Sequence, residues 1–566
     1  MNALIGRLRG ILHGWLASPN PIFMREIRQD ARLARTPWML MGATMLLALL
    51  FASFGAQPDD ARDGMGMGIF QGFFSLAFFL AAIAGPALSA NSIAAEREGR
   101  TWEALLLTGM TPQEITRGKF LAAAASLGVY VVALAPVAAM CFLFGGVHWL
   151  EVLIAFFYLF WITMLWVGFG LAMSSRMAQS RGAIVVTLVA ALPIAGAAYG
   201  LFGFGFGALA HSLWPQVPRE LPVWLPVAYV RGELDLWYVL LLGLGPLAFF
   251  GLPIWGLYEG TLANLTEPTD DRSTGLKRWF VGFLVAGAIG SVGVVAACPA
   301  GDVAGVAIAS VGLTVTGGFL GILVLVPDPL GASRRVQKRW EVEGAGRVRR
   351  WLGPGLIRTM VLVLAGPLLL IAMQLLTSDL RSTFGVVPKL GDLVRFTGYV
   401  VGFYVFCVGL TVFMRARSNN ANTVRLLLIL LVTAIAAIPP IVAFIVGVAF
   451  FQSPDGAWVL AAPSPAFLVT FVKGTDATHV AVGWATSAGW AALGLLLFKL
   501  GSQKIQAILL DFEDRLKAAD RMFREEDEAL AAALAAAPDA APEPGAERAP
   551  DAPAEPSPEG PEPVAS

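Results

Sequence analysis

Opposite charges gather in one stretch of this chain, Ala90 to Lys119: A-N-S-I-A-A-E-R-E-G-R-T-W-E-A-L-L-L-T-G-M-T-P-Q-E-I-T-R-G-K. Glu96, Glu98, Glu103 and Glu114 stand there beside Arg97, Arg100, Arg117 and Lys119. Ile93, Arg97, Arg100 and Glu103 follow helical spacing. The chemistry such a helix offers is non-covalent: lying along a membrane, it would present Glu96, Arg97, Glu98 and Glu103 to a charged groove on a partner. The same charges also suit a solvated loop kept out of the bilayer. Catalytic patterns are missing. Gly118-Lys119 precedes Phe120 and lacks the earlier glycine of G-x-x-x-x-G-K-[ST], so ATP is not bound through a P-loop. No H-E-x-x-H occurs, His13, His148, His211 and His479 are scattered, and no metal site is expected.

Two short helices would position these charges. Gly109 is a natural C-terminal cap for the first. Thr111-Pro112-Gln113-Glu114 reads as a capping box with proline at the first helical position, opening a second helix through Ile115, Arg117 and Lys119.

The rest of the chain explains why this island stands out. Of 566 residues 57% are hydrophobic and 14% charged, with mean hydropathy +0.69; soluble proteins carry about 25% charge. The formal net charge is zero, so the overall balance says nothing about nucleic acid, and no nucleic-acid partner is expected. A spanning helix needs about 20 apolar residues. Twelve such runs are read: 38–54, 69–90, 120–144, 149–173, 182–207, 236–258, 279–298, 303–326, 359–376, 396–414, 426–451 and 480–498. They are continuous, not alternating, so helices are expected and not barrel strands. With both termini on one side, the terminal segments and the even-numbered connections hold 33 of the 40 Lys and Arg. That side is expected to be cytoplasmic. Cys141, Cys298 and Cys407 read as small apolar packing residues.

Asn20-Pro21 starts a basic helix expected to lie in the interface, its Ile22, Phe23, Ile27 and Leu33 alternating with Arg25, Arg28, Arg32 and Arg35. Landmarks recur about 240 residues apart: Pro86 and Pro327, Trp102 and Trp340, M-S-S-R-M-A-Q-S-R and M-R-A-R-S-N-N-A-N, Pro226 and Pro465. Six spans per half would give a parallel repeat about an axis along the membrane normal. The resulting layout is an interfacial N-terminal helix (1–37), a first six-helix half (38–258), a cytoplasmic linker (259–278), a second, degenerate half (279–500), a cytoplasmic helix (501–536) and a disordered Pro/Ala/Glu tail (537–566). The fold class is all-α polytopic membrane protein.

The island resembles the cytoplasmic loop of ABC-2 type permeases, the membrane subunits of ABC transporters. Glu96, Glu98, Gly99, Thr101, Glu103, Leu105, Leu106, Thr111, Pro112, Gly118 and Lys119 match by position. N-P-I-F-M-R-E-I-R is similar to the family's connecting helix, and L-P-V-W-L-P-V-A-Y and A-A-P-S-P-A-F resemble its re-entrant exoplasmic helices. The likeness covers residues 20–258 well and 279–500 in outline. It implies a permease in the cell membrane, an exporter by family analogy. It further implies contact with a separate ATPase subunit, in two copies, through Glu96, Arg97, Glu98, Gly99, Thr101, Glu103, Thr111, Pro112 and Glu114. ATP and magnesium would then be bound by the partner, with no cofactor and no catalysis in this chain. The second island, R-R-V-Q-K-R-W-E-V-E-G-A-G-R-V-R-R-W, keeps Trp340-Glu341 but no Thr-Pro turn. With Arg335, Arg339, Trp340 and Glu341 it reads either as a degenerate second contact or as basic residues beside lipid headgroups. A membrane scaffold and a lipid-modifying enzyme are the other function classes considered; the latter lacks clustered catalytic groups.

Overall fold

The computed structural model describes residues 20–32, a few positions between 41 and 52, and residues 65–142, 144–219, 223–298, 303–384, 390–453 and 457–536. The expected first span, 38–54, lies largely outside the described residues, and the tail from 537 lies wholly outside them. The chain divides into a unit of residues 1–505 and a unit of residues 506–566.

In hydrocarbon each unpaired backbone group is costly, so an apolar segment must close its hydrogen bonds internally. Among the described residues all regular structure is helical. The first unit opens with α1 (Pro21–Arg32), α2 (Met65–Ser89), α3 (Ala94–Glu98), α4 (Thr101–Leu107), α5 (Pro112–Ala133), α6 (Ala135–Ala139) and α7 (Trp149–Ser174). Next come α8 (Ser180–Gly200), α9 (Phe206–Leu213), α10 (Trp224–Arg231), α11 (Leu252–Leu265), α12 (Thr274–Ala297) and α13 (Val303–Leu325). The last are α14 (Arg334–Val342), α15 (Arg347–Leu352), α16 (Leu356–Phe384), α17 (Leu390–Arg415), α18 (Ala421–Phe451), α19 (Leu468–Lys473) and α20 (Ala477–Ala536). Eleven helices among the described residues are long and apolar enough to cross a membrane, one for each expected span from 69–90 onward. The protein is a multi-pass helical membrane protein.

The sixth and twelfth spans differ from the sequence reading in helix type and extent. The sixth span begins as π-helix, Tyr238–Leu244 and Leu247–Gly251, around Pro246, which lacks the N–H an α-helix would use. It then continues as α11 to Leu265, into the expected linker. The helix expected from 501 has no start of its own; α20 runs unbroken from Ala477 to Ala536.

Small residues decide how closely the spans pack. α2 lies along α7, where a Cβ on Gly170 would fall 2.9 Å from Pro86 Cα. In the Gly398-x-x-x-Gly402 stretch of α17, a Cβ on Gly402 would collide with the Ser487 carbonyl of α20. An aromatic core that includes Phe70, Phe73, Tyr158, Trp166, Trp214 and Trp224 fills the bundle of the first five described spans. The L-P-V-W-L-P-V-A-Y segment folds as the short helix α10, with Trp224 to Ala228 buried in that core. Its later counterpart, Pro465–Phe467 followed by α19, buries Phe467 and Phe471 against Tyr399 and Ala443.

Candidate functional site: a charged island on a locked base

Lys119 organises the first island. It sits in the second turn of α5 with its side chain 1% exposed. Its ammonium lies 3.0 Å from Glu26 Oε1 of α1 and 3.0 Å from Glu96 Oε1 of α3. It also donates to the Ser92 carbonyl at 3.0 Å and the Ser92 hydroxyl at 3.2 Å. Arg25 Nη2 completes the network, 2.9 Å from Glu26 Oε1 and 2.6 Å from Glu96 Oε1. Two cations thus face two carboxylates. A buried ion has to be paired in this way, because removing one partner leaves an uncompensated charge at a cost of about 3–5 kcal/mol. Burial pushes the Glu26 carboxyl up, but Lys119 and Arg25 outweigh it and hold the group below the usual carboxylate value.

The residue before Lys119 lets α1 come close. A Cβ on Gly118 would lie 2.8 Å from Asn20 Oδ1 and 3.0 Å from Ile22 Cβ. Asn20 caps α1, its Oδ1 accepting from the Ile22 and Phe23 amides at 2.9 and 3.4 Å, while its Nδ2 donates to the Glu114 carbonyl at 2.8 Å. Glu114 and Thr111 form the capping box: the Glu114 amide donates to Thr111 Oγ1 at 3.3 Å and the Thr111 amide to Glu114 Oε2 at 2.9 Å. Pro112 takes the first helical position.

The other side of the island is tied to the end of α7 and the start of α8. Ser174 Oγ accepts from the Ile93 and Ala94 amides, both at 3.0 Å, and so caps α3 from a distant helix. Arg97 donates to the Ser175 carbonyl at 2.6 Å, and its guanidinium lies 5.9 Å from the centre of the Trp102 ring. Glu98 accepts from the Ser180 amide at 2.9 Å, at the first residue of α8. Glu96, Arg97 and Glu98 therefore brace the base of the island.

Beyond Glu98 the chain turns outward. The helical spacing over 91–108 read as one helix, but it breaks at Gly99-Arg100. Arg100, and not the glycine, takes the left-handed conformation, with φ 56°. Thr101 Oγ1 donates back to the Glu96 carbonyl at 3.2 Å. From there α4 protrudes with no buried residue; Glu103 is exposed and Leu107 is 87% exposed. Gly109, at φ 80°, closes the excursion before the capping box.

The second island lies down instead. Ser333 caps α14 by accepting from the Val336 amide at 3.3 Å, and its hydroxyl donates to the Thr269 carbonyl. Arg335 is 3.4 Å from Glu267 and 3.5 Å from Asp270, and Arg339 is 3.5 Å from Asp270. Trp340 is buried with Val336 and Ala345 over Gly353, where a Cβ would strike its ring. Glu341 is exposed.

Sequence reasoning missed several ties between spans. Beneath the second island, buried Lys277 lies 2.9 Å from Asp328, which also accepts from the Gly355 amide at 3.3 Å and from the Thr359 hydroxyl. Deeper, Gln374 Nε2 donates to Ser291 Oγ at 2.7 Å and Thr314 Oγ1 at 2.9 Å, joining α12, α13 and α16. At the far ends of the spans, fully buried Glu151 of α7 is 2.6 Å from Arg231 of α10, and Arg395 of α17 donates to the Gly474 carbonyl after α19 at 3.0 Å. Among the described residues no group of three or more His, Cys, Asp or Glu could hold a metal ion.

Residues 27–221 match the family model described as ABC-2 family transporter protein, which supports an ABC-2 type permease. Proteins of that family are the membrane component of transport and are not themselves catalytic. No curated protein and no solved structure matches the chain.

Proposed function

We propose that this chain is the permease of an ATP-driven exporter, coupled to a separate ATPase through residues 91–119. The observation that carries the reading is the contrast within the island: α4 protrudes with no buried side chain from a base locked by Lys119, Arg25, Glu26 and Glu96. A lever needs both parts. Glu103 and Leu107 would enter a groove on the ATPase, with Thr101 setting the angle of α4. Glu96, Arg97 and Glu98 would pass the motion to α1, α7 and α8, and Thr111, Pro112 and Glu114 to α5. In this reading ATP and magnesium belong to the partner, and the charged islands and both termini face the cytoplasm of the cell membrane.

The same reading takes the chain as two parallel six-span halves that engage two ATPase copies. In support, α2 packs along α7 as α13 packs along α17, all four being helices long and apolar enough to cross a membrane. Each half also closes its far end with a short helix clamped by a charged residue near the start of the facing span, Glu151 in one and Arg395 in the other. The direction of transport rests on family analogy.

The test is co-purification with the ATPase and measurement of its ATP turnover, using Glu103→Arg and Leu107→Ser. Both variants should keep the thermal stability of the parent protein and lose association. Association and turnover equal to the parent in both would sink the coupling reading.

A further inference from the structure

A cavity of about 60 Å³ lies where the ends of α7, α11, α12, α13 and α18 meet. Arg176, Arg272 and Arg425 line it. Arg272 donates through Nε to the Ala263 carbonyl at 2.7 Å, and Arg425 donates through Nε to the Leu323 carbonyl at 2.7 Å, through Nη2 to the Val324 carbonyl at 3.3 Å and through Nη1 to Asn422 Oδ1 at 3.1 Å. Neither makes an ion pair among the described residues, and the Arg176 guanidinium has no hydrogen-bond or ion-pair partner among them. The carboxylate on the wall, Asp328, is already matched by Lys277 at 2.9 Å. Three guanidinium charges therefore converge without a counter-charge.

Two further atoms at the cavity are unsatisfied. Ser273 is 3% exposed and its hydroxyl has no partner; Asp328 is 4% exposed and its Oδ1 has none. Native proteins rarely bury polar atoms in this state, and each such atom calls for an explanation. Burial also lowers the pKa of Arg272, the direction a desolvated cation takes when nothing opposite in charge offsets it.

We propose that this cavity binds a phosphomonoester or phosphate group. The volume, about four to six times the minimum for one water, suits a tetrahedron of four oxygens. The three arginines would take the charged oxygens, with Ser273 Oγ donating a further bond. Asp328 Oδ1 would repel a carboxylate or a sulfate, but it accepts a hydrogen bond from P–OH, which a phosphomonoester retains in part near neutral pH because its second pKa is about 6. The group can come from an anionic lipid headgroup at the membrane surface or from solution. This site is independent of the coupling reading, and its test needs no ATPase.

The full chain, purified in neutral detergent, is titrated with dioleoyl phosphatidate, dioleoyl phosphatidylcholine or inorganic phosphate, and binding is read by native mass spectrometry and by the shift in unfolding temperature. Saturable phosphatidate binding is expected, with no competition from phosphatidylcholine, and about a tenfold loss of affinity in Arg176→Gln. Inorganic phosphate that displaces phosphatidate would support the site with a free ligand; phosphate that neither binds nor competes would support it with the lipid. Arg347→Gln, in α15 and away from the cavity, should bind as the parent does. Ser273→Ala, which removes an already unpartnered hydroxyl, should fold normally and lose several-fold in affinity; it carries the test if Arg176→Gln does not purify. The proposal is overturned if neither probe binds saturably, if the cavity variants bind like the parent, or if Arg347→Gln loses as much as they do.

Discussion

The two charged islands each follow an apolar span, each contain a tryptophan followed by a glutamate, and fold in opposite senses. In the first, the buried cation Lys119 draws the acidic residue Glu96 of the island itself into the base, and α4 is left standing clear. In the second, the buried cation Lys277 pairs with Asp328 before the island begins, and the island's own arginines reach Glu267 and Asp270 in the segment after α11. Trp102 stays half-buried, whereas Trp340 is buried over Gly353. The difference teaches that charge content does not decide whether such a loop protrudes. What decides it is where the buried counter-ion finds its partner, because a paired, desolvated ion is expensive to disrupt and fixes everything attached to it.

The comparison can be broken most sharply at the two lysines. Lys277→Met should lose about 4 kcal/mol, since both members of its pair are almost wholly buried. Lys119→Met should lose about 3 kcal/mol, because Arg25 still partners Glu26 and Glu96, which keep some solvent. Unfolding midpoints in mixed micelles would read both, and a larger loss at Lys119 would reverse the account. Next, Trp340→Ala should cost about 2–3 kcal/mol and Trp102→Ala under about 1 kcal/mol, because only the former leaves a filled site empty; equal losses would mean that both islands lie down. Gly118→Ala should cost about 2 kcal/mol by overpacking Ile22, and limited proteolysis should show α1 released; an unchanged cleavage pattern would deny the close approach.

The smallest effect is that of pH on Glu26. Its carboxyl is held below the ordinary 4.5, so its contribution is complete above that value and is lost as pH falls through the lower folded-state value. Glu26→Gln should therefore unfold at a lower temperature than the parent near pH 7, and the gap should close below about pH 4.5. A gap that persists in acid would show that the carboxylate charge is not what holds α1.

Much of this was legible locally. Spans follow from the partition of side chains between water and lipid, which adds up residue by residue, so eleven expected spans correspond to helices among the described residues. The Thr111–Glu114 box and the Asn20 cap need only neighbours two or three positions away. Gly109 was readable for the same reason. Lys119 was visible only as the end of a motif, and Glu96, Arg97 and Glu98 looked like an outward face. Their bracing roles depend on Arg25, Glu26, Ser175 and Ser180, 71 to 93 residues away.

The sequence by itself therefore determined an all-helical membrane chain, the clustering of its basic residues and the local shape of its charged turn, since hydropathy and capping are properties of short segments. Only the tertiary structure decided which charges are buried, that Arg100 and not Gly99 makes the left-handed turn, why one island stands and the other lies flat, and that three arginines from separate segments share one cavity. Those outcomes depend on pairing ions across long separations in a low-dielectric interior, where position in space and not position in the chain sets the energy.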